Sequence, residues 1–254
     1  MTMLTLNPGR LTALGRSELT LLVRNRAALS LAVLMPLLMV FILRSSLSGA
    51  EGAEAVGVAT LTGGIGMVLI LVVHMNLVSA YVARREELVL KRLRTGEATD
   101  LEILAGTALP AAVLAFGQII VLAVAGAAVL DVPMPRNPLL LVVAVLAGIV
   151  VLAGLSALTS SVTRTVETAG LTTLPLFLAT VLGSGLFLPA DSLPDLVASL
   201  CELLPLSGVM TLVRAGWSGG SAGGDLLGAG LNTLAWTVIT VFAVQRWFRW
   251  EPRR

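Results

Sequence analysis

Few residues in this sequence could carry out chemistry. The chain has one histidine, His74, one cysteine, Cys201, and one lysine, Lys91. A zinc site built from His and Cys needs about four such ligands, so the chain cannot form one alone. A phosphate-binding loop of the type GxxxxGK[ST] needs lysine directly after glycine, whereas Lys91 follows Leu90. We therefore expect no catalytic residue, no metal site and no cofactor bound by this chain.

Two other activities are alternatives. Ser156, in the segment Gly154-Leu155-Ser156, could act as a nucleophile with His74 as its base, as in an intramembrane serine protease. The rhomboid type of that enzyme has glycine at the next position, where this chain has Ala157. Proton-coupled transport normally uses acidic residues inside membrane spans. Here Asp and Glu are expected to lie in loops or at span ends.

The densest charge lies in RREELVLKRLRTGEATDLE, residues 84–102, with ten charges in nineteen positions. A helix over 84–94 would place Arg84, Glu87, Lys91 and Arg94 on one face and Val89, Leu90 and Leu93 on the opposite face. Glu87 and Lys91 would then form a favourable i,i+4 pair. Gly96 is expected to end this helix, and Thr99 with Glu102 to open the next one as a capping box. The apolar stripe needs a membrane surface or another protein to cover it.

The elements that must position this stretch are membrane spans. Hydrophobic residues make up 56% of the chain and the mean hydropathy is +0.94, whereas soluble domains are about 45–50% apolar. Long uncharged runs predict six spans, at 27–43, 56–81, 104–130, 139–161, 170–188 and 226–245. The chain is therefore predicted to be an all-α membrane protein that forms a single domain over 1–254.

Charge sets the predicted topology. Six spans put both termini on one side, together with all basic residues except Arg44, Arg136 and Arg214. Because basic residues stay cytoplasmic, both termini are predicted to be cytoplasmic. The apolar segment 193–217 is not counted as a span, since Pro205 divides it into pieces of about ten residues that suit an outer re-entrant hairpin. The segment LTALGRSELTLLVRNRAAL, residues 11–29, is predicted to form a basic amphipathic helix on the membrane surface before span one.

Polar residues within the predicted spans are few. His74 and Asn76 lie in span two, Gln118 in span three and Asn232 in span six. Hydrogen bonds between helices account for such residues in many membrane bundles. Alternatively, His74, Asn76 and Gln118 line a substrate pathway. The sequence leaves both explanations open.

Three segments match a known family in order and spacing. LLVRNRAALSLAVLMPLL, with Arg24, Asn25 and Pro36, is similar to a basic elbow before span one, although the family often has proline where Arg26 stands. EELVLKRLRTGEATDLEILAG is similar to the family's cytoplasmic segment between spans two and three, although this chain has Glu97 where the family usually has proline. GSGLFLPADSLPDLVASLCELLPLSGVMTLVRAG is similar to an outer re-entrant segment through Gly185, Pro189, Pro194, Pro205 and Arg214. Together they resemble type-2 permeases of ATP-binding-cassette (ABC) exporters, especially the small drug-export-like group that includes daunorubicin-resistance permeases.

The resemblance implies a permease subunit of a bacterial plasma-membrane exporter. It implies two protein partners: a separate ABC ATPase that binds ATP and Mg²⁺, and a second permease copy, identical or related. Membrane lipid would surround the permease, and no nucleic acid is expected to bind. The cytoplasmic helix between spans two and three would dock on the ATPase through Arg84, Glu86, Glu87, Leu90, Lys91, Leu93 and Arg94. The expected cargo is a hydrophobic or amphipathic drug, antibiotic or lipid, which would make the protein part of drug efflux and antibiotic resistance. A polysaccharide is the alternative cargo.

Overall fold

The computed structural model of the protein describes residues 52–96, 99–130, 132–183, 194–219 and 223–251, with seven separate residues before residue 43. The predicted first span at 27–43 and the predicted amphipathic helix at 11–29 therefore lie almost wholly outside the described residues. The same holds for 184–188, at the end of the predicted fifth span. Within the five described ranges every regular element is helical.

The helices in these ranges are α1 (Ala53–Val68), α2 (Asn76–Glu86), α3 (Val89–Arg94), α4 (Asp100–Leu130), α5 (Pro138–Val162), α6 (Val166–Gly183), α7 (Asp195–Glu202), α8 (Ser207–Ser218) and α9 (Gly223–Trp247). A π-helical segment, Leu69–Met75, joins α1 to α2. Four stretches are long and apolar enough to cross a membrane: Ala55–Glu86, Asp100–Leu130, Pro138–Val162 and Gly223–Trp247. They confirm predicted spans two, three, four and six. The predicted fifth span is occupied by α6 as far as Gly183.

The helix α5 lies at the centre of the bundle. It packs against α2, the π-helical segment, α8 and α9. Small residues allow this close packing: Gly148 faces Val209 of α8, and Gly154 faces Thr240 of α9. Without a hydrophobic driving force between helices in lipid, such close backbone approach supplies much of the contact energy.

The two ends of the bundle are distinguished by their contacts. Lys91 of α3 lies 2.8 Å from the carboxylate of Glu251, beyond α9, so α3 and residue 251 lie at the same end. An even number of crossings must separate them. The helices α4, α5 and α9 are long and apolar enough to cross, and α6, described as far as Gly183, would be the fourth. With these four crossings, the segment that contains α7 and α8 does not cross. We call the end with α3 the basic end and the opposite end the far end.

The hairpin of α7 and α8 enters the bundle from the far end. The carbonyls of Trp217 and Gly216 accept hydrogen bonds from the backbone of Arg136 and Asn137, just before α5, at 3.1 and 2.9 Å. From there α8 runs antiparallel to α5, because Gly216 lies against Leu141 and Val209 against Gly148. Twelve helical residues span about 18 Å. The turn that precedes α8 therefore lies near the middle of the bundle.

The buried turn of this hairpin is held by α9. The side chains of Asn232 and Trp236, midway along α9, donate to the backbone carbonyls of Glu202 and Leu203, each at 2.9 Å. Carbonyls at the end of a helix need such partners where water is excluded. These contacts are compatible with the predicted re-entrant hairpin, and Asn232 forms a hydrogen bond between helices. Glu202 lies at the end of α7, outside the candidate spans, as the sequence predicts, but the contacts of its backbone place it level with the middle of α9.

Replacing Gly208 with alanine is expected to destabilise the hairpin. A Cβ at Gly208 would lie 2.6 Å from the carbonyl oxygen of Ala229 and 2.8 Å from the Thr233 hydroxyl. Overpacking of this kind costs about 1–3 kcal/mol, because a backbone carbonyl cannot move aside easily. Thermal unfolding of the purified protein in detergent measures the loss. The matched control is Gly228→Ala, where no atom lies within 4 Å. Equal unfolding temperatures for the two variants would contradict the close contact.

Candidate coupling site at the basic end of the bundle

Arg85, in the last turn of α2, is buried with 1% of its surface exposed. Its guanidinium donates to the carbonyl of Ser160 at 2.7 Å and to that of Thr163 at 2.6 Å. Both acceptors lie at the C-terminal end of α5, where carbonyls lack intrahelical partners and the helix dipole favours a cation. Arg85 therefore fixes the end of α2 to the end of α5. Nothing in the sequence distinguishes it from Arg84, so this role cannot be predicted there.

The segment 84–94 is not the single helix that the sequence predicts. The helix α2 ends at Glu86, and Leu88 adopts a left-handed conformation with φ 59° before α3 begins at Val89. Arg85 and Leu90 are both fully buried. Five residues apart on one continuous helix, they would point about 140° away from each other. The break allows both to be buried, and their burial offsets the steric cost of a left-handed leucine.

The surface of this segment also differs from the predicted one. Leu90 is fully buried and Leu93 is half-buried, so the apolar stripe is covered largely by the protein itself. The exposed residues are Glu86, Glu87, Leu88, Lys91, Arg92, Arg94 and Thr95. Leu88, which is 42% exposed, is the apolar residue among them. A partner would therefore meet a charged surface with one leucine at the helix break.

The predicted ion pair between Glu87 and Lys91 does not form, because the break at Leu88 removes the regular i,i+4 spacing. Lys91 pairs with Glu251 instead. Arg94 Nε donates to the carboxylate of Asp100 at 3.1 Å, and its guanidinium lies 4.8 Å from the centroid of the Trp250 ring. These contacts hold α3 against the start of α4 and against the segment after α9.

Residues 248–251, which we call the C-terminal clasp, follow α9. The ring of Phe248 packs edge to face with Tyr81 of α2 and with Trp250, at centroid distances of 6.1 and 4.8 Å. The backbone N–H of Arg249 donates to the hydroxyl of Ser161 in α5 at 3.3 Å. A cleft of about 670 Å³ opens between α3 and the clasp. The clasp thus joins the end of α9 to α2, α3 and α5.

The start of α4 completes this cluster. Thr99 and Glu102 form the predicted capping box: the Thr99 N–H donates to the Glu102 carboxylate at 2.8 Å, and the Glu102 N–H donates to the Thr99 hydroxyl at 3.3 Å. Arg84 of α2 donates to the Thr107 hydroxyl of α4 at 3.1 Å. The Tyr81 hydroxyl donates to the carbonyl of Leu104 at 3.0 Å. The ends of α2, α4, α5 and α9 therefore meet around α3.

His74 lies in the π-helical segment and contacts α5. Its Nδ1 is 3.1 Å from the hydroxyl oxygen of Ser156, and that hydroxyl donates to the carbonyl of Leu152 at 2.6 Å. Both side chains are fully buried, with 0% exposed. A serine protease needs an accessible nucleophile and a group that orients its base, whereas Nε2 of His74 has no partner in the described part of the chain. The pair acts as a hydrogen bond between helices.

The three predicted pathway residues are not brought onto one surface. His74 faces α5, while Asn76, two residues later, is exposed on another side of the helix. Gln118 of α4 is half-buried, and its Oε1 has no partner among the residues described. Within the same ranges, no three His, Cys, Asp or Glu side chains are placed to hold a metal ion.

Comparison with known proteins identifies the family of this chain. The family model described as ABC-2 type transporter matches residues 10–217, which is most of the chain. None of the curated proteins compared with the chain matches it. The matched range includes α1 to α8, with the cluster around α3 and the re-entrant hairpin, although not the clasp. The chain therefore belongs to the ABC-2 type transporter family, which consists of membrane permease components without a catalytic site of their own.

Proposed function

We propose that this protein is the permease subunit of an exporter of the drug-export-like group. It moves a hydrophobic or amphipathic compound, such as a drug, an antibiotic or a lipid, outward across a bacterial plasma membrane. A separate ABC ATPase binds ATP and Mg²⁺ at the basic end, and a second permease, identical or related, completes the pathway. The excess of basic residues at that end supports a cytoplasmic position for both termini. The uncharged character of the spans supports an apolar cargo.

The observation that carries this proposal is the cluster around α3. One short helix contacts or adjoins the ends of α2, α4 and α9, and Arg85 ties α2 to α5. A partner that moved α3 would therefore move four membrane-crossing helices together. To shift such a two-state equilibrium from 1:99 to 99:1, ATP binding must favour one state by about 5.5 kcal/mol.

The proposed ATPase contact uses part of the predicted residue set. Glu86 and Glu87 remain in it because they are exposed, and Leu88 and Arg92 join them. Charges on such a surface orient the partner, and the leucine supplies apolar contact. Arg84, Leu90 and Leu93 are half-buried or buried and support α3 from within the protein. Lys91 and Arg94 are exposed, and they already pair with Glu251 and Asp100. For the pathway, the exposed Asn76 is the predicted residue whose position supports a cargo contact.

The test is a reconstituted complex. The chain is co-expressed with a cognate ABC ATPase, purified, and placed in liposomes. We expect co-purification, ATP hydrolysis that an amphipathic cargo stimulates several-fold, and ATP-driven movement of that cargo. An ATPase variant that binds but does not hydrolyse ATP should support association without continuous transport. Absence of association together with absence of transport would contradict the proposed function, and movement of polysaccharide alone would establish the alternative cargo.

A further inference from the structure

Glu202, the last residue of α7, carries a carboxylate at an unusual depth. Its backbone carbonyl is bound by Asn232, nine residues along a 25-residue helix. The next carbonyl is bound by Trp236, one turn further. Both positions are near the midpoint of α9, which is long enough to cross the membrane. These contacts fix the main chain, so the depth of the carboxylate is set by the fold.

The surroundings of this carboxylate are apolar and open. Glu202 is exposed, and its neighbours Leu200 and Leu203 are 58% and 65% exposed. None of the residues that the structure describes gives the Glu202 side chain a hydrogen bond or an ion pair. The Oδ1 atom of Asn232, whose amide holds this turn, is buried without a partner in the same ranges. The site thus offers one carboxyl group between two exposed leucines.

A carboxylate at the centre of a bilayer is costly, and such residues pair with opposite charge or line a pathway. A second copy of the chain, related by an axis along the membrane normal, would present its residues at the same depths. Among the described basic residues, Arg214 in α8 lies nearest to the depth of Glu202. The helix α8 begins at Ser207, close to the turn after Glu202, and Arg214 is seven residues, or about 10 Å, further toward the far end. The other described cations lie at the two ends of the bundle. A second copy therefore offers no matching cation at this level.

We propose that Glu202 binds the positive group of a cationic amphiphile, while Leu200 and Leu203 contact its apolar part. This inference rests on the proposed export function and adds the charge class of the cargo. Binding would neutralise the carboxylate at mid-depth, and the cargo would keep its apolar part against apolar side chains. A neutral or anionic compound of the same shape would leave the carboxylate unpaired and would bind more weakly.

Equilibrium binding to the purified permease in nanodiscs of uncharged lipid tests this proposal. The probes are radiolabelled tetraphenylphosphonium, a lipophilic cation, and triphenylphosphine oxide, which is neutral. We expect Glu202→Gln to weaken binding of the cation by about 10- to 100-fold, the range for losing a contact between opposite charges. Glu202→Asp should keep most of the affinity, and binding of the neutral probe should not change. The matched control is Asp225→Asn, an exposed carboxylate at the far-end start of α9.

A second measurement uses the unaltered protein. Dicyclohexylcarbodiimide, an apolar reagent, modifies carboxyl groups within membranes, and mass spectrometry of the peptide that contains Glu202 follows the reaction. Tetraphenylphosphonium should slow this modification, whereas triphenylphosphine oxide should not. Unchanged cation affinity in Glu202→Gln, or no protection by the cation, would overturn the proposal. So would a Glu202 that resists the reagent without cation, since a second copy would then cover it. Neither assay needs the ATPase, so intact binding without ATP-driven transport would contradict the export function alone.

Discussion

Replacing Arg85 with methionine is expected to lower the free energy of unfolding by about 3 kcal/mol. Hydrogen bonds from a charged donor contribute about 1.5–3 kcal/mol each, and Arg85 donates two, to the carbonyls of Ser160 and Thr163. Methionine fills much of the volume but leaves both carbonyls at the end of α5 without this donor. Reversible unfolding of the purified protein in mixed micelles measures the loss.

Two controls separate this effect from a general loss of charge. Arg84→Met removes the neighbouring charge, whose half-buried side chain donates to the Thr107 hydroxyl, and it should cost less. Arg85→Lys keeps the charge, but a lysine ammonium lacks the planar guanidinium that donates to both carbonyls at once. The stability of Arg85→Lys should therefore lie between those of Arg85→Met and the parent protein. If Arg85→Met were as stable as Arg84→Met, Arg85 would not be the residue that fixes α2 to α5.

Local patterns in the sequence predict much of this fold. The capping box of Thr99 and Glu102 depends on residues three positions apart, and the division of the hairpin depends on Pro205. The spans depend on apolar length alone. In each case the physical cause lies within a few residues or a single helix, so the local sequence is sufficient to predict the feature.

The predictions that fail at the coupling site fail because contacts between residues distant in the sequence decide the structure there. Lys91 has a favourable local partner in Glu87, yet it pairs with Glu251, 160 positions later. The left-handed Leu88 has no local signal, because the packing of its neighbours imposes it. The depth of Glu202 follows from its contact with Asn232. Hydropathy places residues along a span but does not locate a turn that enters the bundle from outside.

Replacing Leu90 with serine is expected to damage the fold itself. Leu90 is fully buried, and removing a buried leucine side chain costs about 2–5 kcal/mol, to which a buried hydroxyl adds a penalty. Thermal unfolding of the purified chain without the ATPase should therefore show the loss. If Leu90 were instead a docking residue, as a continuous helix over 84–94 requires, the isolated chain would unfold at the parent temperature and would lose only its association with the ATPase.

The matched variant, Leu88→Ser, should have the opposite effect. Leu88 lies two residues earlier and is 42% exposed, so the isolated chain should unfold within a few degrees of the parent temperature. Fully burying a leucine contributes about 1.5–3 kcal/mol, and the exposed part of Leu88 represents about 1 kcal/mol of that range. Its loss should weaken binding of the ATPase about fivefold. Titration of the purified ATPase onto the permease in nanodiscs measures this change. Parent affinity in Leu88→Ser, combined with weak ATPase binding in a folded Leu90→Ser, would reverse the assignment of the two faces of α3.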